Sequence, residues 1–398
     1  MRRRKFTGLL SDATEWLLAK GRKAADVGQL LNGFSEKLVE LGIPLARAST
    51  HAPTLHPEFR WVMQLWQSGE LAKETRRSHG IETTTTYKGN PVEHVVNSGK
   101  WLDCRLQTDE VNRFPVLQDL HKEGYTHYVM GPLRFSDGTV GAASWATVVD
   151  GGFLPEHIRL LQDGIDVFSL VFETKALRRE LADLLASYVG RDPAHRILEG
   201  TVRRGEVRRV RAAIMLTDMR GYGKLSDELP AERIVELLNE HFDCIVPHVL
   251  AEGGEVLKFI GDGVLAVFSA NKPGKELCRA AYRAARKALA AIAEGNADDG
   301  TQNILVGCGI ALHSGEIAYG NIGSGERLDF TAIGRDVNIV SRLERLCGPS
   351  GRSLLMTGEF VAELESPVVE VGQFEFKGFK RREAVFGVAD DERFRCGT

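Results

Sequence analysis

The sequence predicts an α+β protein whose C-terminal half folds as an antiparallel sheet with flanking helices. Three observations lead to this fold class: an Asp-Gly turn between apolar runs at residues 254–268, a buried strand that ends at Thr217-Asp218, and helical patterns between the strands. Asp-Gly between apolar runs is typical of a β-hairpin, because the turn requires residues that tolerate a positive φ.

Composition and charge exclude several classes of protein. The chain has 398 residues, 43% of them apolar, a net charge of −3, and six cysteines without a C-x-x-C pair. We expect two or three domains, reduced thiols and a cytoplasmic location, and no nucleic acid partner. No uncharged apolar run is long enough for a transmembrane segment, and no apolar segment follows the basic residues 1–5, so no signal peptide is predicted.

The first 155 residues form one predicted domain. An amphipathic helix is indicated by apolar residues that recur every three or four positions, namely Val27, Leu30, Leu31, Phe34, Leu38 and Leu41. Strand patterns at 127–135 and 140–149 flank a second Asp-Gly turn and predict a hairpin. A sheet with flanking helices that precedes a long helix resembles a GAF- or PAS-type regulatory domain. Its signal stays open between a small molecule, a protein partner, a redox change and no signal at all.

Residues 155–188 predict one long helix. A heptad-like seam is formed by Ile158, Leu161, Ile165, Phe168 and Phe172. A second set keeps the spacing but is displaced in phase: Leu177, Leu181, Leu184 and Tyr188. We favour a dimeric signalling helix over the alternative, a helix packed on its own regulatory sheet. The predicted domains are therefore 1–155 (regulatory), 156–205 (signalling helix and linker) and 206–388.

The elements after residue 205 follow the order β-α-β-β-α-β, which is ferredoxin-like. They are a strand at 211–217, a helix at 231–249 that Pro247 should kink or end, the hairpin at 254–268, an alanine-rich helix at 276–293 and a strand at 304–313. A Ser314-Gly315 turn is predicted to lead into a further strand at 316–322.

Two aspartates stand at the ends of these strands. Asp262 lies at the hairpin tip, where turn chemistry is the alternative interpretation, and Asp218 ends the buried strand. Carboxylates on adjacent strands can hold Mg²⁺, which prefers hard oxygen ligands, as two-metal phosphoryl or nucleotidyl transfer requires. The loop that follows offers backbone N–H groups of the kind that bind phosphate; it consists of Met219, Arg220, Gly221 and Tyr222.

Asn338 and Arg342 form a further polar pair, one turn apart on a predicted helix after Gly334. The apolar face of that helix is predicted as Val337, Val340 and Leu343. An asparagine and an arginine presented in this way suit a ribose and a polyphosphate. The alternative is a polar helix face in water.

Together these blocks resemble the catalytic domain of class III nucleotide cyclases over about residues 206–388. The motifs that carry the resemblance are Thr217-Asp-Met-Arg-Gly-Tyr222, Lys258-Phe-Ile-Gly-Asp-Gly-Val264, Phe330-Thr-Ala-Ile-Gly-Arg-Asp-Val-Asn338 with Arg342, and Phe376-Lys-Gly378. The resemblance implies two Mg²⁺ or Mn²⁺ ions at Asp218 and Asp262. It also implies that Arg342 stabilises charge on the α-phosphoryl group, that Asn338 positions the ribose, and that Lys377 and the 219–222 loop meet phosphates.

The choice of base depends on Lys258 and Thr331. A lysine that donates to adenine N1 and a hydroxyl that accepts from N6 favour ATP, whereas guanylyl relatives are expected to carry an acidic residue in place of the lysine. Thr331 departs from the aspartate of many animal homologues and discriminates less, because a hydroxyl can also donate. We predict an adenylate cyclase. A guanylyl or mixed-specificity cyclase and a non-catalytic nucleotide-binding regulator remain alternatives.

The resemblance also implies a homodimer. In the family, the metal aspartates of one site come from one subunit, and its base-reading residues and arginine come from the other. This chain carries both sets, so two copies would form two composite sites, and a monomer should be inactive.

Overall fold

The structure, a computed structural model, describes residues 2–84, 87–269, 273–297, 307–379 and 381–389. It divides into two compact units, Met1–Leu184 and Leu185–Thr398. The division falls inside the long helix. Within the described ranges, no helix combines the length and the apolar character needed to cross a membrane.

The first unit is a six-stranded antiparallel sheet in the order β3-β2-β1-β6-β5-β4. Its strands are β1 (Arg47–Pro53), β2 (Phe59–Gln67), β3 (Lys73–Ser78), β4 (Leu102–Arg105), β5 (His127–Arg134) and β6 (Val140–Thr147). Its helices are α1 (Arg2–Ala19), α2 (Val27–Glu40), α3 (Pro91–Ser98), α4 (Pro115–Lys122) and α5 (Pro155–Val189). Side chains of α1, α2 and α5 pack on one face of the sheet, and those of α3 and α4 pack on the other. The predicted hairpin is confirmed as β5 and β6.

The first half of α5 packs on this sheet. Leu161, Ile165, Phe168 and Phe172 are buried in the core of the first unit. Their prediction as a dimer seam is therefore wrong, because the sheet of their own unit covers them, as in the alternative interpretation. The displaced second set differs: the exposed fractions of Leu177, Leu181 and Tyr188 are 53%, 51% and 79%.

The second unit is built on a sheet in the order β13-β14-β12-β10-β7-β9-β8, with β11 paired to β10. Its strands are β7 (Val207–Arg220), β8 (Glu255–Ile260), β9 (Gly263–Phe268), β10 (Gly307–Gly323), β11 (Leu328–Ile333), β12 (Leu354–Thr357), β13 (Val369–Glu375) and β14 (Arg382–Gly387). Its helices are α6 (Arg191–Leu198), α7 (Tyr222–Glu228), α8 (Ala231–Asp243), α9 (Val246–Ala251), α10 (Gly274–Ala297), α11 (Arg335–Glu344), α12 (Cys347–Ser350) and α13 (Gly358–Val361).

The central strands β10-β7-β9-β8 confirm the ferredoxin-like prediction. They are the fourth, first, third and second strands of a β-α-β-β-α-β unit, and neighbouring strands are antiparallel. The core on one face is filled by small side chains of α10, including Ala281, Ala284, Ala285 and Ala288. Small side chains let this helix lie close to the sheet.

The predicted turn at Ser314-Gly315 is wrong. Both residues lie within the continuous strand β10, opposite Ala213 and Ala212 of β7. The 14-residue strand β7 keeps them extended. Glycine is needed here for a different reason, because a Cβ on Gly315 would lie 2.1 Å from the carboxylate of Asp336. The first three residues of the predicted strand at 304–313 lie outside the described ranges.

Pro247 divides the predicted helix at 231–249 into α8 and α9. It lies in the first turn of α9, where the missing N–H would have no partner within the helix. The prediction that Pro247 kinks or ends this helix is confirmed.

Candidate active site

The end of β7 and the tip of the β8–β9 hairpin are in direct contact. The carboxylate of Asp262 accepts a hydrogen bond from the backbone N–H of Met219 at 3.0 Å. The hydroxyl of Thr217 accepts one from the backbone N–H of Val264, also at 3.0 Å. Glycine at 263 permits this approach, because a Cβ there would lie 2.4 Å from the carbonyl oxygen of Thr217.

These contacts bring Asp262 beside Asp218. Burial, the negative charge of Asp262 and a hydrogen bond between the two carboxyl groups raise the pKa of Asp218 to about 6. The raised pKa of Asp218 reflects first its removal from water and then the second carboxylate beside it. Two adjacent carboxylates with excess negative charge are hard oxygen donors, so the residues present fit the implied divalent cation.

The pair alone does not make a complete cation cage. Among the residues that the structure describes, no three His, Cys, Asp or Glu side chains are grouped as ligands for a metal ion. Mg²⁺ in phosphoryl-transfer sites is commonly held by one or two carboxylates and by substrate phosphates. The arrangement therefore suits a cation that arrives with a nucleotide.

Glu344 adds a third carboxylate near the pair. Glu344 lies beside Gly309 of β10, because its Oε1 atom would be 3.1 Å from a Cβ atom placed on that glycine. Gly309 is the strand partner of Asp218 in β7. Burial and then the charge of Asp218 raise the pKa of Glu344 to about 7. No sequence pattern singled out Glu344, since a glutamate beside Arg345 on an amphipathic helix is typical of a solvated face.

The predicted phosphate loop is shorter than expected. Met219 and Arg220 belong to β7 and pair with β10, so the loop is reduced to Gly221, which has a φ of +78° and precedes α7 at Tyr222. The N–H of Met219 is already bonded to Asp262.

Arg220 is directed away from this loop. Its Nη2 donates to the carbonyl oxygen of Cys347 at 3.3 Å and to that of Arg352. The side chain of Arg220 therefore ties the end of β7 to the segment after α11.

Lys258 lies in β8, four residues before Asp262. Its ammonium forms an ion pair with Asp329 of β11. Lys258 lies within β8, whereas Asp262 follows the end of that strand in the turn to β9.

Thr331 lies two residues after Asp329 in β11, and alternate residues of a strand project from the same face. The exposed fraction is 7% for Thr331 and 56% for the Asp329 side chain. Asp329 immediately precedes the third sequence motif and had no predicted role. Asp329 could have been identified from the sequence, because it stands two residues before Thr331 and a strand would place both side chains on the same face.

Helix α11 presents Asn338 and Arg342 one turn apart. Asn338 is exposed and Arg342 is half-buried, while the buried face consists of Ile339, Val340 and Leu343. Ile339 replaces Val337 among the residues predicted to face the core, and Val337 packs at the edge of that core.

The start of α11 is held by Asp336. Its carboxylate accepts the backbone N–H of Glu316 at 2.7 Å and lies 3.6 Å from His313 Nε2. The nearby imidazole of His313 is the main cause that lowers the pKa of Asp336. The helix that carries Asn338 and Arg342 is thereby anchored to β10.

Lys377 occupies the turn between β13 and β14 and is exposed. The neighbouring Phe376 is buried and packs edge-on against Phe379, with ring centroids 6.4 Å apart. The described contacts of the two aspartates do not include Lys377.

Residues 207–389 match the family model described as "Adenylate and Guanylate cyclase catalytic domain". Adenylate cyclase 1 of Rhizobium meliloti is 30% identical over 215 residues, which are 51% of this chain and 32% of that protein. An adenylate cyclase of Anabaena cylindrica is 32% identical over 162 residues, 39% of this chain and 31% of that protein. The chain thus spans about a third of the length of these curated relatives. A bacterial light-regulated adenylyl cyclase of known structure aligns with 25% identity and a TM-score of 0.49, covering 58% of this chain and 65% of that one.

Proposed function

Because residues 207–389 are an adenylate and guanylate cyclase catalytic domain, we propose that this chain is an adenylate cyclase that converts ATP to 3′,5′-cyclic AMP and pyrophosphate. The observation that carries the proposal is the contact between Asp218 and Asp262, which concentrates negative charge at the end of β7. The family description covers both adenylate and guanylate cyclases, so it does not identify the purine base of the substrate. Lys258 and the residues around it support adenine.

The carboxylate pair has the chemistry of a metal-binding site for a nucleoside triphosphate. Asp218 and Asp262 would hold Mg²⁺ or Mn²⁺, two ions per site in this proposal. When bound, such ions lower the pKa of the ribose 3′-hydroxyl and offset phosphate charge. The fixed position of the hairpin tip orients both carboxylates before the nucleotide arrives.

The remaining polar residues would act on the nucleotide itself. Asn338 would hold the ribose, so that the 3′-oxygen faces the α-phosphorus. The guanidinium of Arg342 would stabilise the charge that develops on the α-phosphoryl oxygens, which its fork of N–H donors suits. As the 3′-hydroxyl releases its proton to water and its oxygen forms the new bond to the α-phosphorus, the bond from that phosphorus to the β-phosphate oxygen breaks and pyrophosphate leaves. Lys377 and the backbone around Gly221 would contact the outer phosphates.

Lys258 supports adenine over guanine. Its ammonium has three donors and no acceptor, so it can donate to N1 of adenine and keep its contact with Asp329. The hydroxyl of Thr331 would accept from the exocyclic amine. Because that hydroxyl can also donate, some turnover of GTP is the second candidate activity.

We further propose that the site is shared between two copies of the chain. Within one chain, the described ion pair of Lys258 is with Asp329 of β11, and the described contacts of Asp218 and Asp262 do not include Lys258. Four apolar side chains in β8 and β11 are exposed: Phe259 (52%), Ile260 (53%), Leu328 (41%) and Ile333 (48%). Exposed apolar side chains on both of these neighbouring strands support a protein–protein contact at this edge. A second protomer on this surface would bring its own carboxylate pair toward Lys258.

The direct test is turnover of ATP and GTP by the purified chain with Mg²⁺ or Mn²⁺. We expect cyclic AMP as the main product, with kcat/KM for ATP at least tenfold above that for GTP. A preference for GTP would overturn the assignment of the base. Nucleotide binding without any cyclic product would instead identify a non-catalytic regulator.

A further inference from the structure

The chain passes from β11 into α11 at the edge of β10. The last residue pair between β10 and β11 joins Ala318 to Ile333. Gly334 separates the two elements, and α11 begins at Arg335. In the register that the structure describes, Glu316 of β10 lies two residues beyond this pair and is not paired to β11. The first turn of α11 therefore follows β10 at the point where β11 has ended.

Asp336, in this first turn, contacts the free edge of β10. Its Oδ2 accepts the backbone N–H of Glu316 at 2.7 Å, a charge-assisted hydrogen bond. The same oxygen lies over Gly315, where a Cβ would be only 2.1 Å away. A negative charge near a helix N-terminus is favourable by itself, but it requires neither the directed hydrogen bond nor the space above Gly315. Asp336 is thus fitted to one position on β10.

Other residues hold the same turn in place. His313 Nε2 lies 3.6 Å from Asp336 Oδ1, and His313 Nδ1 lies 2.8 Å from the hydroxyl of Thr357. The exposed fraction is 2% for His313 and 0% for Thr357. Arg335 pairs with Glu383 of β14 at 3.3 Å. The start of α11 is therefore held to both β10 and β14.

This junction lies between residues that would contact different parts of the nucleotide. Thr331, assigned to the base, precedes it in β11, whereas Asn338 and Arg342, assigned to the ribose and the α-phosphoryl group, follow it in α11. We propose that Asp336 is a positioning residue for cyclisation, which through its bond to β10 sets the place of Asn338 and Arg342 relative to Thr331. The inference rests on the proposed function, because it concerns the residues of that site.

Asp336→Ala removes the contact with β10. A displacement of about 1 Å in a catalytic group can reduce a rate by about 100-fold, so we expect kcat for ATP to fall at least tenfold. KM should change less than threefold, because the carboxylate pair and Lys258 lie on other elements. Asp336→Asn keeps an acceptor for the N–H of Glu316 and should have a kcat at least fivefold above that of Asp336→Ala.

Asp336→Glu separates position from charge. Glutamate keeps the charge and the acceptor, but its additional methylene group would displace the start of α11 from Gly315. Its kcat should be at least fivefold below that of the wild type, whereas a role limited to charge at the helix N-terminus would tolerate it. Glu232→Ala is the matched control, since Glu232 is an exposed acidic residue in the first turn of α8, and it should leave kcat unchanged.

Hydrogen exchange of the backbone amides in α11 is a readout independent of turnover. Exchange should be faster in Asp336→Ala and Asp336→Glu than in the wild type, and unchanged in Glu232→Ala. A thermal melt shows which variants fold; if Asp336→Ala does not, the comparison of Asp336→Glu with Asp336→Asn decides.

The inference is overturned if the wild type forms cyclic AMP and Asp336→Ala or Asp336→Glu has the same kcat. Unchanged exchange of α11 in Asp336→Ala would overturn it as well. A wild type without any cyclic product, combined with faster exchange in Asp336→Ala, would overturn the proposed function and with it the catalytic effect of Asp336, but not the anchoring of α11.

Discussion

Asp262 accepts a hydrogen bond from the backbone N–H of Met219 at 3.0 Å. The position of the hairpin tip is therefore set by the neighbouring strand as well as by its own Asp-Gly turn. The same carboxylate is proposed to hold a metal ion, so one side chain combines a structural contact with a chemical role. The two roles can be separated by substitution.

Asp262→Asn should abolish cyclic AMP formation and leave the fold intact. The amide oxygen can still accept from the N–H of Met219, but the negative charge that binds the cation is lost. A metal contribution of several kcal/mol corresponds to a loss of about 100-fold or more in kcat. Turnover of ATP and a thermal melt are measured together, with the exposed Asp243→Asn as the control. Activity near the wild-type level in Asp262→Asn would disprove the role of this carboxylate.

Gly263→Ala should destabilise the second unit and reduce activity. The added Cβ would lie 2.4 Å from the carbonyl oxygen of Thr217, which would force the hairpin away from β7. Overpacking of this kind costs about 1–3 kcal/mol. Gly295→Ala is the control, because nothing lies within 4 Å of its Cβ and alanine in a helix is favourable. Denaturation by urea should show the first variant to be less stable and the second equally or more stable; equal stability of Gly263→Ala and the wild type would contradict the close approach.

Metal affinity should fall as the pH is lowered through about 6. The pKa of Asp218 is raised from 3.8 to about 6 in the folded chain, so a metal ion must displace a proton from Asp218 below that pH. Protonation of Asp218 has the opposite effect on folding. Between pH 3.8 and 6 the metal-free folded state binds more protons than the unfolded state, so the contribution of Asp218 to the free energy of unfolding increases as the pH falls. Calorimetric titration with Mn²⁺ at pH 5.5, 6.5 and 7.5 should show the weakest binding at pH 5.5. An affinity independent of pH over this range would argue against Asp218 as a ligand.

Lys258→Glu should reduce the use of ATP relative to GTP. A carboxylate at this position accepts hydrogen bonds, which suits the N1 donor of guanine and repels the N1 acceptor of adenine. The new carboxylate would also face Asp329, so the variant is compared with Lys258→Glu combined with Asp329→Asn. The ratio of kcat/KM for the two nucleotides is the readout. An unchanged preference for ATP in both variants would show that Lys258 does not read the base.

Local patterns predicted the parts of this protein that depend on nearby residues. The Asp-Gly hairpin, the helix that carries Asn338 and Arg342, and the order of strands and helices along the chain follow from turn chemistry and periodicity. Ser314-Gly315 was misjudged, because a serine–glycine pair resembles a turn unless the long partner strand β7 is known.

Long-range packing explains what the sequence patterns missed. Ile165 and Phe168 have the spacing of a coiled-coil seam, yet the sheet of the first unit covers them. Glu344 and Asp329 acquire their neighbours only when β10 and β11 are in place. A buried seam and a solvated one have the same period, so only the tertiary fold distinguishes them.

The composite site is the central claim, and a purified heterodimer tests it most directly. Asp262→Asn and Arg342→Ala chains with different affinity tags are co-expressed, and the mixed dimer is isolated through both tags. Each homodimeric variant should be inactive, whereas the mixed dimer should contain one site without either substitution and have about half the wild-type activity. A mixed dimer as inactive as its parents, or an active wild-type monomer, would contradict a site shared between two chains.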